Sequence, residues 1–301
     1  MHPAKTSGGP DRYAIVRLGN GAGCVRSLAE QETFHPGIGP AAEAEALYVR
    51  QLRLAERVRV AEGEFVLWDV GLGAAANALT ALRLIRAVAA GKPRQLRMIS
   101  FDRTTTAASF ALEHAAELGY LDGYETALET LIERGAVGFD DGGIHVEWSF
   151  ERGDFPALMA RGVKLPAPDA ILFDPHSPRK NPEMWTVPLF TDLFRALDPK
   201  RPCALATFTR STMARTAMLS GGFFVGVGHP SGLKEETTVA ANRIELLDEP
   251  LDGRWRERAG RSKSAEPLTG SVYRQAMLSA ETSARLRRHP QFQNANEHER
   301  H

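Results

Sequence analysis

The sequence predicts an α/β protein, a doubly wound sheet that is mostly parallel, with an antiparallel hairpin at one edge and helices on both faces. Three observations predict it. From residue 65 onward, short apolar runs of strand length alternate with Ala- and Leu-rich runs of helix length. Several strand-length runs, such as Ala170 to Phe173, are apolar throughout, as strands covered on both faces are. The last two strands follow one another with no helix between them, which makes them a hairpin.

Taken in order, Tyr13 to Leu18 and Val25 to Ala29 predict two strands around a Gly19-Asn20-Gly21 turn. A helix is expected from Ala41 to Val60, begun by Pro40, with Leu47, Leu52, Leu54 and Val58 on its apolar face. Phe65 to Val70 is the first strand of the main sheet. A helix from Ala75 to Ala90 follows, closed by Gly91 and Pro93. Next come a strand (Leu96 to Phe101), helices (Ala107 to Leu118, Thr126 to Arg134), a strand (Ile144 to Phe150) and a buried strand (Ala170 to Phe173). The rest reads as helix (Pro188 to Leu197), strand (Ala204 to Phe208), helix (Ser211 to Ser220) and two strands (Phe223 to Val227, Thr237 to Leu246).

The 301 residues, 43% hydrophobic and 25% charged, suffice for a sizeable core and exclude wholesale disorder. No apolar stretch approaches the roughly 18 residues of a membrane span, and no signal-type apolar run follows Lys5. Cys24 and Cys203 stand far apart and no His-x-x-x-His pair exists, so no metal is expected and a cytoplasmic location is. Net charge is zero, so binding to nucleic acid requires a local basic patch. Between Leu251 and Pro290 there are nine Lys and Arg against four Asp and Glu, which supplies either such a patch or a solvated helix face. Gln291 to His301 is polar and expected to be disordered. The division expected is 1–60, an N-terminal hairpin and helix; 61–250, the main sheet; and 251–301, a basic extension with its tail.

Four stretches carry candidate chemistry. Gly71 and Gly73 sit at a strand-to-helix junction, where glycine lets the backbone turn tightly and approach a ligand. Taken alone, Gly71 to Ala76 also fits a dinucleotide fingerprint, on which an NAD-dependent oxidoreductase would rest. Asp102, at the end of the next strand, is either an acceptor for ribose hydroxyls or a helix cap. Asp154 is either an acceptor for an adenine amine or, more simply, a cap for the segment after it. The most specific stretch is Asp174-Pro175-His176-Ser177-Pro178-Arg179-Lys180-Asn181-Pro182-Glu183-Met184-Trp185. A buried strand delivers Asp174 to the sheet edge and prolines stiffen the loop beyond it, which suits a catalytic carboxylate.

Together these residues resemble the class I S-adenosyl-L-methionine (SAM) methyltransferases, and with them a Rossmann-like class I methyltransferase sheet. More narrowly they resemble the methyltransferase half of the bifunctional tRNA 5-methylaminomethyl-2-thiouridine biosynthesis protein, MnmC, and its stand-alone relatives. The 174–185 stretch is similar to that family's D-[PG]-x-[SA]-P-x-x-N-P-[DE]-[ML]-W. Glu32-Thr33-Phe34-His35, Glu43-Ala44, Tyr48, Lys234-Glu235-Glu236-Thr237 and Trp255-Arg256-Glu257-Arg258 with Arg261-Ser262 are also similar to the stand-alone members.

The resemblance implies a SAM-dependent N-methyltransferase acting on the aminomethyl group of 5-aminomethyl-2-thiouridine at the tRNA wobble position. By it, Asp69, Gly71, Gly73 and Asn77 hold the methionine end of SAM, Asp102 the ribose and Asp154 the adenine amine. Asp174 is the catalytic carboxylate, and Arg179, Lys180, Arg254 and Arg256 meet RNA phosphates. Trp185 either stacks on the base or anchors the loop. The chain departs from the family at Asp69 and Asp102, where Glu is usual, and at Ala75, where a third glycine is usual. The Ala75 methyl is expected to crowd the methionine end. The alternatives are another amine substrate, or a weakened RNA-binding homologue.

Overall fold

The computed structural model describes residues 13–88, 94–231 and 235–293. Strands β1 (Tyr13–Arg17), β2 (Gly23–Ser27) and β3 (Glu32–Thr33) form a small antiparallel sheet, with the expected turn at Gly19 to Gly21 between the first two. The expected helix over 41–60 is instead three pieces: α1 (Pro40–Ala44), a π-helical segment (Glu45–Arg50) and α2 (Leu54–Val60). Arg53, between the last two, has left-handed backbone at φ 49°. On one continuous helix Leu52 and Leu54 would project about 200° apart. The break lets both bury in the same core.

The main sheet comprises β4 (Glu64–Val70), β5 (Arg94–Asp102), β6 (Ala136–Asp141), β7 (Ile144–Arg152), β8 (Ala170–Phe173), β9 (Ala204–Thr207), β10 (Phe224–Gly228) and β11 (Thr237–Ala241). Its order is β10-β11-β9-β8-β4-β5-β7-β6. The five strands from β9 to β7 are parallel, and β11 runs antiparallel to both β9 and β10. Strand order therefore reverses at β4, the switch point where such sheets open a crevice beyond their carboxyl ends. β6, not anticipated from the sequence, hairpins back on β7 through Gly142-Gly143. Its Gly138, Asp140 and Asp141 are poor strand formers, and pairing with β7 overrides them. The strand expected to reach Leu246 ends at Ala241, where the Asn242 side chain takes the Cys203 amide at 2.9 Å.

Helices α3 (Ala76–Val88), α4 (Thr106–Glu113), α5 (Ala115–Leu118) and α6 (Glu125–Arg134) cover one face. The expected helix over 107–118 pauses at His114, whose ring stacks on Phe110 and bonds its carbonyl at 2.9 Å. Helices α7 (Phe155–Ala160), α8 (Val187–Ala196), α9 (Thr212–Gly221), α10 (Gly253–Arg261), α11 (Ala280–Arg288) and α12 (Pro290–Gln293) follow, the other face being covered chiefly by α7 to α11. Side chains of β4 alternate as period 2 requires: Phe65 and Leu67 pack under α3, Val66, Trp68 and Val70 on the opposite face.

The segment beginning at Gln291 is not a loose tail at its start. The Gln291 amide accepts from the Val225 N–H at 2.8 Å and donates to the carbonyls of Val225 and Leu251, while Phe292 stacks on Trp255. Together with the backbone of Glu249 and Leu251, which bonds Val227 and Val225, it covers the edge of β10. Residues 294–301, the Gly91 and Pro93 closure and Lys234 lie outside the described residues. No helix among the described residues is long and apolar enough to cross a membrane.

Candidate active site

The site is a cavity of about 720 Å³ over the carboxyl ends of β4, β5, β7 and β8, roofed by residues 27–36 of the small sheet. That volume suits a nucleoside-sized ligand. Gly71 turns the chain at the end of β4 with φ +99°, and the Phe101 carbonyl takes the N–H groups of Gly71 and Leu72. A Cβ on Gly71 would stand 2.6 Å from the Asp174 carbonyl oxygen, so only glycine lets the turn meet the loop beside it. Gly73 lies under the Phe34 ring at φ +50°. Ala75 also has left-handed backbone, φ 62°, but its methyl is buried in the core and does not line the cavity. The expectation that this methyl faces the ligand is not met by its placement, which is in the core. The cost of alanine there is backbone strain, of order 1 kcal/mol.

The structure brings Asn77, Asp102, Asp154 and Asp174 to the cavity wall with the two glycines, and withdraws Asp69 from it. Strand alternation turns Asp69 toward the α3 face. It is wholly buried; one oxygen accepts from the Ser100 hydroxyl at 2.8 Å and the other has no partner. Trp148 in turn donates its indole N–H to Ser100. Burial raises the Asp69 pKa to about 7, helped by the charges of Asp174 and Asp102 against the Ser100 bond.

Asp102 accepts from the Gly73 N–H at 3.0 Å and the Arg103 N–H at 2.7 Å, so it ties the glycine turn to β5. Burial pushes its pKa up against those amide bonds. Asp154 caps α7, accepting from the Ala157 N–H at 3.0 Å. Its second oxygen pairs with Arg103, which also reaches Glu183 at 2.9 Å. The capping reading of Asp154 is thus realised, although the residue still faces the cavity.

Asp174 begins where β8 ends, its N–H bonded to the Val70 carbonyl. Its carboxylate accepts from the Asn77 amide at 2.7 Å and lies 3.4 Å from His35 Nε2. Burial alone would raise its pKa. His35, Asn77 and the Tyr48 hydroxyl outweigh that and hold it below the usual carboxylate range. His35 likewise has its pKa lowered by burial and raised further by Asp174 and Glu43, ending above the ordinary histidine value. His35, Tyr48 and Glu43 were visible only as part of a family resemblance, with no role attached.

The loop after Asp174 is stiff. Trp185 is wholly buried, donates its indole N–H to the His176 carbonyl at 3.0 Å, and packs edge-on against Phe173 and Phe208. It anchors the loop; its ring is not open to stack on a base. Glu32 of β3 ties the roof to this loop, accepting from the Ser177 hydroxyl at 2.8 Å and meeting His176 Nδ1 at 3.1 Å. Arg179 and Lys180 are exposed on the loop's outer side and do not line the cavity. Arg254 and Arg256 lie on α10, also away from the cavity wall, with the Arg256 guanidinium over the Phe292 ring.

Comparison with known proteins bears on this cavity. A family model described as S-adenosyl-L-methionine-dependent methyltransferase matches residues 156–243. The bifunctional MnmC of Aeromonas hydrophila subsp. hydrophila is 28% identical over 271 residues, 84% of this chain and 39% of that protein. MnmC of Ectopseudomonas mendocina is 45% identical over 65 residues, 20% of this chain and 10% of that protein. The chain thus spans about two fifths or less of the length of these relatives. The crystal structure of MNMC2 from Aquifex aeolicus superposes with a TM-score of 0.65 at 22% identity, covering 86% of this chain and 79% of that one. It shows the same fold, a Rossmann-like, mostly parallel α/β sheet. Residues 156–243 thus carry the likeness to SAM-dependent methyltransferases, and most of the chain is similar to part of MnmC.

Proposed function

We propose that this chain is a SAM-dependent methyltransferase and transfers the methyl group to a primary amine presented beside Asp174, namely the aminomethyl group of 5-aminomethyl-2-thiouridine at the tRNA wobble position. The observation that carries the reading is a carboxylate held anionic on a stiff loop inside the cavity, in the stretch most similar to MnmC.

The cavity's residues fit SAM. The turn at Gly71 and Gly73 borders the cavity, and acceptors for hydroxyl and amine groups face in from Asp102 and Asp154. The Asp102 carboxylate keeps lone pairs free beyond its amide bonds. Gly71, Gly73 and Asn77 would border the methionine end, Asp102 the ribose and Asp154 the adenine. Asp69 supports the turn from behind the wall. When bound, SAM supplies an electrophilic methyl carbon on a sulfonium.

The amine attacks only when neutral, and amines of lysine type have a pKa of roughly 10. Asp174, being a weak base, accepts a hydrogen bond from the amine N–H and aims its lone pair. It then stabilises the positive charge that grows on nitrogen as the new bond forms. A wobble base is already single-stranded, so seating it in the cavity costs less than flipping it from a duplex. Arg179 and Lys180, on the same loop, would meet the flanking phosphates. Arg254 and Arg256 extend the basic surface. Such an enzyme works in the cytoplasm with its RNA.

The test is calorimetric SAM titration, then nucleoside mass spectrometry of tRNA carrying the aminomethyl uridine. The wild type binds SAM and yields the methylated nucleoside. Asp174→Asn retains SAM binding and transfers about 100-fold more slowly. SAM binding with no RNA product moves the reading to another amine.

A further inference from the structure

The reaction as described uses Asp174 and leaves the buried polar group beside it without a task. His35 enters the site just after β3, with left-handed backbone at φ 54°. A non-glycine residue in that region costs of order 1–3 kcal/mol and persists where its surroundings over-determine it. Here they do: the Cys24 thiol meets the His35 carbonyl at 3.5 Å, and the Glu43 carboxylate takes the N–H groups of Gly37 and Ile38. The strain delivers the imidazole to the cavity wall, 3.0 Å from Asn77 Oδ1 and 3.4 Å from the Asp174 carboxylate.

The hydrogen bonds fix each other's direction. Asp174 as a carboxylate only accepts, so Asn77 offers it the amide N–H at 2.7 Å. The Asn77 oxygen is therefore left facing His35, and His35 Nε2 must carry the proton between them. Nε2–H is then shared by the two acceptors, and the three side chains close a ring around one Asp174 oxygen. The other charged or titratable groups acting on His35 and Asp174 are Glu43 and Tyr48, with Asp69 behind.

We infer that His35 is a positioning residue for methyl transfer: its Nε2–H, bridging Asn77 and Asp174, locks the Asp174 carboxylate in the single orientation that receives the amine. The N-terminal sheet is on this view part of the reaction centre as well as its roof. The inference rests on the proposed amine substrate for its rate consequence, and on geometry alone for the bridge.

His35→Gly tests it, because glycine adopts the left-handed backbone without strain and the vacated space opens on the cavity. Single-turnover transfer to the aminomethyl tRNA should fall about 10- to 100-fold. The SAM dissociation constant should move less than about threefold, a split that marks loss of positioning and not of binding. Added imidazole should restore the rate in His35→Gly, and should do nothing in the wild type or in a variant that also carries Asp174→Asn. An unchanged rate, a parallel loss of SAM affinity, or no rescue overturns the inference. Should His35→Gly fail to fold, His35→Asn, which also tolerates this backbone, is expected to show the same split, and its absence overturns the inference equally. A wild-type protein inactive on this RNA sinks the substrate assignment and leaves the bridge to be decided by nitrogen-15 NMR of the His35 ring. A titration midpoint lower by about one pH unit or more in Asp174→Asn supports the bridge. An unmoved midpoint refutes it.

Discussion

Asp69 offers a stability measurement that isolates one buried carboxyl. Its pKa stands at about 7 against an ordinary 3.8, with burial the largest cause. Below pH 3.8 the carboxyl is protonated in both folded and unfolded chains. Between the two values the unfolded chain releases the proton and the folded one keeps it, so stability falls as pH rises through about 7. At about 1.4 kcal/mol per pH unit, the loss over that window sums to about 4 kcal/mol. Asp69→Asn removes the ionisation while keeping an oxygen to accept from Ser100. Urea unfolding of wild type and variant, followed by Trp fluorescence between pH 5 and 8, reads the difference directly. Relative to the wild type, the variant should gain by about 3 kcal/mol between pH 5 and about 7 and level off above that. His35, with a raised pKa, and Asp174, with a lowered one, titrate in both proteins. A difference that stays flat from pH 5 to 8 would refute the raised pKa and with it the burial argument.

Other perturbations follow from named contacts. Gly71→Ala places a methyl 2.6 Å from the Asp174 carbonyl, and should cost about 3 kcal/mol or more by denaturation, with SAM binding lost. Gln291→Ala removes two hydrogen bonds to Val225 of β10 and one to the Leu251 carbonyl, and should destabilise by about 2–3 kcal/mol, read as a lower urea midpoint with unchanged slope. Arg179→Ala and Lys180→Ala should each lower the slope of log affinity for tRNA against log salt by about 1, with SAM affinity unchanged; an unaltered slope removes that residue from the RNA interface.

Much of this was legible along the chain. Strands such as Ala170–Phe173 are buried on both faces, and an unbroken apolar run of that length announces itself. The glycines at 71 and 73 and the proline-stiffened loop after Asp174 are local signals, because turns and φ restrictions are set by neighbours in sequence. The breaks at Arg53 and His114 were not legible, since each answers a packing demand made by distant residues. β6 was hidden because its own residues disfavour a strand and its partner supplies the reason for it. Trp185 looked equally fit for a base platform and for an anchor; only the rings of Phe173 and Phe208 around it decide for the anchor.

Short-range patterning along the chain sets the alternation of strands and helices, the tight turn at the switch point, and the delivery of Asp174 to the sheet edge. Tertiary structure decided which carboxylates face the cavity and in what state. Asp69 and Asp174 are similar in sequence as acids at strand ends, yet one is pushed up by burial and the other held down by His35 and Asn77. A charge's state is a sum over every group around it in space, and for Asp174 those groups come from residues 35, 48 and 77.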